Sequence, residues 1–148
     1  MSTKDLIGVV QGFVAKWNEG NEQEILDSVT HDVVIRVTPP LPLLRAAYTG
    51  KEGVRELARI LLPGFHGEAS DLQASGDTVT WRFTITSDEL QRRGFAPLSG
   101  RADTSIQDGF IQSLHLKLDD ETVQRLPTSA AAVAQGPAGE AGFGPAQG

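Results

Sequence analysis

The sequence predicts an α+β domain in which a curled sheet wraps around a layer of helices and closes on a cavity. Three observations predict it. Helical apolar spacing dominates residues 6–61, strict period-two alternation takes over at residues 79–86 and 114–118, and helices come before most of the strands. That order argues against repeated strand–helix–strand units with a parallel sheet.

The first helix starts near Ser2 or Thr3, because Leu6, Val9, Val10, Phe13, Val14 and Trp17 recur at the spacing that lines one helix face. Asn21 followed by Glu24 makes a capping-box-like start for a second, shorter helix that buries Ile25, Leu26 and Val29. Val33 to Val37 reads as a strand. Thr49 with Glu52 repeats the capping device ahead of Val54, Leu57, Ala58 and Leu61, and Pro63-Gly64 stops this third helix. After the turn Ser75-Gly76-Asp77, Val79, Trp81, Phe83 and Ile85 alternate with Thr80, Arg82, Thr84 and Thr86, as a strand with one buried face requires. Asp108-Gly109 forms a hairpin turn between Thr104-Ser105-Ile106 and a last strand in which Leu114, Leu116 and Leu118 alternate with Ser113, His115 and Lys117.

A chain of 148 residues, 39% of them hydrophobic, buries one core. Composition shifts at Pro127, so residues 1–126 are expected to fold and 127–148 to form a disordered Ala/Gly/Pro-rich tail with too little apolar surface to offset its ordering entropy. The chain holds no cysteine, which removes disulfides, thiolate nucleophiles and cysteine-ligated metals. A formal charge of −6 and a pI near 5.0 disfavour nucleic acid as a partner. No signal-peptide pattern opens the sequence and no apolar run could span a bilayer, which predicts a cytoplasmic protein without a membrane partner. His31, His66 and His115 lack the spacing of a zinc motif, so no metal is expected, and no serine occupies a nucleophile elbow.

The segments Leu62-Pro63-Gly64-Phe65-His66-Gly67-Glu68, Ser75-Gly76-Asp77-Thr78-Val79, Gly94 to Arg101 and Gln107-Asp108-Gly109-Phe110-Ile111, in that order and spacing, resemble the polyketide-cyclase-like (SnoaL-like) branch of the nuclear transport factor 2 superfamily. The resemblance spans Leu6 to Leu126. It implies a cone-shaped mixed or antiparallel sheet with a deep pocket between helices and sheet, and a homodimer through the outer sheet face. That face would carry Thr80, Arg82, Thr84 and Thr86.

The family's catalytic residues carry over incompletely. Where polyketide cyclases of this kind place a proton-handling histidine beyond the central strand, this sequence reads Thr86-Ser87-Asp88-Glu89. The tyrosine, aspartate and acid of ketosteroid-isomerase relatives fall near Phe13, Val37 or Thr38, and Asp103. The Asp-Arg-Asp relay of limonene-epoxide-hydrolase relatives meets Arg82 followed by Thr84. Asp103 is the best candidate acid, since a carboxyl in an apolar pocket is disfavoured in its charged form and suits proton exchange near neutrality; the bland alternative is a surface aspartate paired with Arg101 or Arg82. Arg82 or His66 would polarise a substrate oxygen. Phe13, Trp17, Val54, Leu57, Trp81 and Phe83 are the expected ligand-binding walls, and Thr38 to Leu44, with three prolines, a semi-rigid lid over the mouth. The expected function is a cofactor-free cyclase-like or isomerase-like enzyme acting by proton transfer on a small hydrophobic, oxygenated molecule. A non-catalytic ligand-binding or dimerisation module is the alternative.

Overall fold

Eleven elements follow one another in the computed structural model, which describes residues 2–41 and 44–126. The expected tail at 127–148, and Pro42 and Leu43 of the expected lid, lie outside the described residues. Helix α1 runs Thr3–Glu19 and closes its first turn with a capping box, Ser2 Oγ accepting from the Asp5 N–H at 3.1 Å. Gly20, in the left-handed conformation at φ 74°, ends it. Leu6, Val10, Phe13 and Trp17 form its buried stripe, while Val9 and Val14 sit half-buried at the flanks.

Helix α2, Glu22–Leu26, starts where expected, with the Asn21 side chain accepting from the Glu24 N–H. Val29 does not extend its apolar face but opens β1, Val29–Thr38, a strand twice the length the sequence suggested. After β2, Ala47–Thr49, helix α3 covers Gly50–Leu61. Its expected capping box does not form: Thr49 makes no side-chain cap bond, and Glu52 pairs instead with Arg55 one turn on.

The remaining elements are β3 (His66–Ser75), β4 (Thr78–Thr86), α4 (Asp88–Arg92), β5 (Leu98–Gln107), β6 (Phe110–Leu118) and α5 (Asp120–Arg125). Strand β3 escaped the sequence reading for a physical reason. Its inner face carries Gly67, Ala69, Leu72 and Ala74, mostly small residues, and the register shifts between Ser70 and Gln73, where Asp71 takes φ 53°. The bulge flips the parity halfway, which erases the alternation a strand is recognised by.

The six strands form one sheet in the order β2-β1-β6-β5-β4-β3, with β1 parallel to β6 and every other neighbour antiparallel. This is the mixed, curved sheet expected. Its concave face packs against α1 and α3, so one core joins the helix stripes to inward residues such as Ile35, Val79, Trp81, Phe83 and Leu114. Burying each of these large side chains contributes about 1.5–3 kcal/mol. The outer face is polar: Thr80, Arg82 and Thr84 on β4, Arg101, Asp103 and Ser105 on β5, and His115 and Lys117 on β6 all project from it.

Candidate functional site: an apolar cavity under two helices

The core does not close completely. Phe13, Val14 and Trp17 of α1, Leu57 and Leu61 of α3, Trp81, Phe83 and Ile85 of β4, and Leu114 and Leu116 of β6 surround a cavity of about 50 Å³. On the same scale a single buried water needs roughly 10–15 Å³, so the space suits a small organic group or several waters. The aromatic walls are arranged edge-on: the Trp81 and Phe83 ring centroids lie 6.4 Å apart at 71°, and Phe13 and Trp17 6.2 Å apart at 75°. The polar edge of Trp81 is spent elsewhere, its Nε1–H donating to the buried Thr104 Oγ1 at 2.9 Å. The wall it offers the cavity is therefore hydrocarbon.

Phe65, half-buried, marks the rim, and Glu68 borders it from the strand position between inward Gly67 and Ala69, its 70% exposed side chain turned to the outer face opposite Thr84. Phe65 stacks at 5.3 Å on Trp17 and lies over the backbone of Gly67. A Cβ at position 67 would come within 3.0 Å of the Phe65 ring, which explains why glycine stands there. Asn18 fixes the same stretch to α1, its amide nitrogen donating to the Gly67 carbonyl at 2.9 Å and its oxygen accepting from the Gly67 N–H at 2.7 Å. A second, smaller chamber of about 20 Å³ adjoins the first and is lined by Val37, Leu44, Leu98 and Leu118 together with five residues that also face the larger one.

The sequence-based candidates divide sharply. Phe13, Trp17, Leu57, Trp81 and Phe83 line the cavity; Val54, fully buried on α3, is core and does not. Asp103 is not a pocket carboxyl. Alternation along β5 turns Ala102 and Thr104 inward and Asp103 outward, where its Oδ2 meets Lys117 Nζ at 2.7 Å. Arg82 likewise projects from the face opposite Trp81 and Phe83 and pairs with Asp119. His66 is the first residue of β3, its ring exposed and 3.1 Å from Glu68 Oε2, and it does not reach the cavity wall. The expected lid also differs: Leu41 and Leu44 are buried, and Leu44 lines the smaller chamber. Asn18, Phe65 and Gly67 went unrecognised as rim residues, although an aromatic followed by His-Gly just after a helix stop was a visible signal.

Among the described residues, Glu68 is the one titratable residue that touches the cavity, and its carboxylate turns to the outer sheet face beside His66; no three His, Asp or Glu side chains group to hold a metal ion. No described helix is long and apolar enough to cross a membrane. Residues 10–111 match the SnoaL-like domain family. The chain belongs to that family. Solved structures similar to this SnoaL-like chain share its fold at low identity. One is the epoxide hydrolase/cyclase-like enzyme SalBIII of pyran ring formation in polyether salinomycin, with a TM-score of 0.67 and 14% identity over 80% of this chain and 94% of that one. Another is a putative ketosteroid isomerase from Kribbella flavida, with a TM-score of 0.62 and 16% identity over 80% of both chains. A computationally designed 17-OHP binder reaches a TM-score of 0.69 at 12% identity, covering 82% of this chain and 95% of its own. No curated protein is a significant sequence match.

Proposed function

We propose that this SnoaL-like domain binds a small hydrophobic molecule in the cavity beneath α1 and α3, and that it holds the molecule without acid–base catalysis from the cavity walls. One observation carries the reading: the wall is hydrocarbon throughout, and Glu68, the single titratable residue it touches among the described residues, turns its carboxylate to the outer sheet face. The alternative weighed from the sequence, a binding module, thus gains over the enzyme, because Asp103 and Arg82 are turned to the other face of the sheet and His66 lies outside. Trp17 and Trp81 sit on the wall and supply the test. Titration with a bicyclic terpenoid alcohol should change their fluorescence saturably, with negative heat-capacity change on binding. A linear, unsaturating response identical to that of free tryptophan would end the proposal.

The outer sheet face is the proposed site for a second copy of the chain. Hydroxyls of Thr80, Thr84 and Ser105 dominate it, and its charges are partly neutralised by the pairs Arg82–Asp119 and Asp103–Lys117. Light scattering at micromolar concentration should return twice the chain mass; a monomer mass would remove the dimer.

A further inference from the structure

The cavity is smaller than a ring-bearing molecule requires. At about 50 Å³ it has room for roughly three or four water-sized groups, whereas an apolar cavity that takes up benzene measures about 150 Å³. A ring enters only where a wall side chain gives up its place. Among the described residues, five aromatic side chains line the space, and four of them, Phe13, Trp17, Trp81 and Phe83, are buried on α1 or β4. Phe65 differs on both counts: it lies in the turn between α3 and β3, and it is half-buried.

The backbone around Phe65 is pinned on both sides. The Phe65 N–H donates to the Leu62 carbonyl at 3.0 Å, the Asp88 N–H donates to the Pro63 carbonyl at 2.9 Å, and Gly67 is bound to Asn18 through both its N–H and its carbonyl. The ring therefore leaves by rotation about its own side-chain bonds, between staggered positions, without unmaking the turn. Its present seat suits a flat ring. Trp17 forms one part, with ring centroids 5.3 Å apart and planes tilted by 42°. The Gly67 backbone forms another, approached so closely that a Cβ there would stand 3.0 Å from the Phe65 Cε1 and Cζ atoms. Trp17 and Gly67 also line the cavity, so seat and cavity are neighbouring parts of one space.

Resting on the binding function proposed above, we infer that Phe65 holds the ligand's place. The ligand is a molecule with one flat aromatic ring, which displaces the Phe65 ring from Trp17 and sends a short apolar substituent of roughly two or three carbons into the cavity. The phenyl group of Phe65 is itself a benzene ring, so the space it vacates accepts one, and the cavity of about 50 Å³ beyond it accepts the substituent. A saturated ring of the same size lacks the quadrupole that favours an edge-on or offset approach to the Trp17 indole. Polar groups on the ring stay at the rim, in water, because the Asn18 amide is committed to Gly67 on both its atoms.

The probes are para-ethylphenol, its ring-saturated counterpart para-ethylcyclohexanol, and the bicyclic terpenoid alcohol, each titrated by calorimetry against the full chain. In the wild type para-ethylphenol should bind about twofold to tenfold more tightly than para-ethylcyclohexanol, the advantage of an aromatic pair. Phe65→Ala has no ring to expel into water, so it should bind para-ethylphenol about fivefold to tenfold more tightly than the wild type, which must re-expose a half-buried phenylalanine. Phe65→Leu, which keeps an apolar side chain but cannot stack on Trp17, should shift affinity in the same direction and serves if Phe65→Ala does not fold. Three results overturn the inference while leaving an apolar ligand site standing: para-ethylcyclohexanol binding as tightly as para-ethylphenol, the bicyclic alcohol binding more tightly than either, or a folded Phe65 variant gaining no affinity for para-ethylphenol. Absence of saturable binding by all three probes overturns the binding function, and this inference with it.

Discussion

Lys117 Nζ approaches Asp103 Oδ2 to 2.7 Å between neighbouring strands, with the two side chains 50% and 35% exposed. Ion pairs in such surroundings are screened and contribute less than about 1 kcal/mol. Asp103→Asn should accordingly change the unfolding free energy by no more than that and leave ligand affinity in the cavity unaltered; a large loss of affinity would return Asp103 to the site. The fold disturbs the ionisation of Tyr48. Burial is the main cause pushing its hydroxyl above the ordinary tyrosine value of 10.0, opposed by the Arg45 backbone N–H that donates to it at 3.0 Å. The sign follows from proton counting. Above pH 10 the unfolded chain loses this proton while the folded one keeps it, so the protonated fold is disfavoured relative to unfolding as pH rises. Wild type should therefore lose stability from about pH 10 upward, and Tyr48→Phe should flatten that part of the curve in thermal melts. Equal slopes in the two proteins would show that Tyr48 is not the cause.

Strands β5 and β6 approach more closely at Gly100 than any side chain permits. A Cβ there would lie 2.0 Å from the Lys117 carbonyl oxygen and 2.9 Å from Leu118 Cα, so the backbone of β6 would have to move. Gly100→Ala should cost about 3 kcal/mol, read as a lower denaturation midpoint at unchanged slope. Gly8, in α1, is the contrast: nothing stands within 4 Å of its missing Cβ, and Gly8→Ala should stabilise by about 0.5–1 kcal/mol. A neutral Gly100→Ala would mean that the two strands pair loosely. At this scale the sequence was legible where its period was regular. Helix α1, strand β4 and the turn at Asp108-Gly109 each announced themselves through one dominant pattern. Strand β3 did not, because its inward residues are small and a bulge reverses their parity. Thr49 misled in the opposite sense, having the right residue type for a cap and no bond to show for it.

For the molecule as a whole, α5 is the last of the described elements, and it packs on the core. Thr122 is buried there, and Val123 and Leu126 pack against the main cluster. Cutting the chain after Leu126 should shift Tm by no more than about 2 °C, since the composition of 127–148 offers little apolar surface to bury. Cutting after Asp119 should lower it clearly. An unchanged Tm in the second case, or a large fall in the first, would place the boundary elsewhere. The class of fold, the order of its main helices and strands, and most of the aromatic wall were legible along the chain, because hydrophobic period is a local property that each segment carries alone. Which face of the sheet each polar residue takes emerged from long-range strand pairing, which turns them away from the cavity. Side chains alternate along a strand, so one step of register separates a pocket acid from a surface ion pair, and that step is set by pairing between distant strands. Asp103 and Arg82 sit one residue away from the walls they were expected to join, whereas Phe65 and Asn18, far apart in sequence, meet Trp17 and Gly67 at the rim because α1 lies across β3.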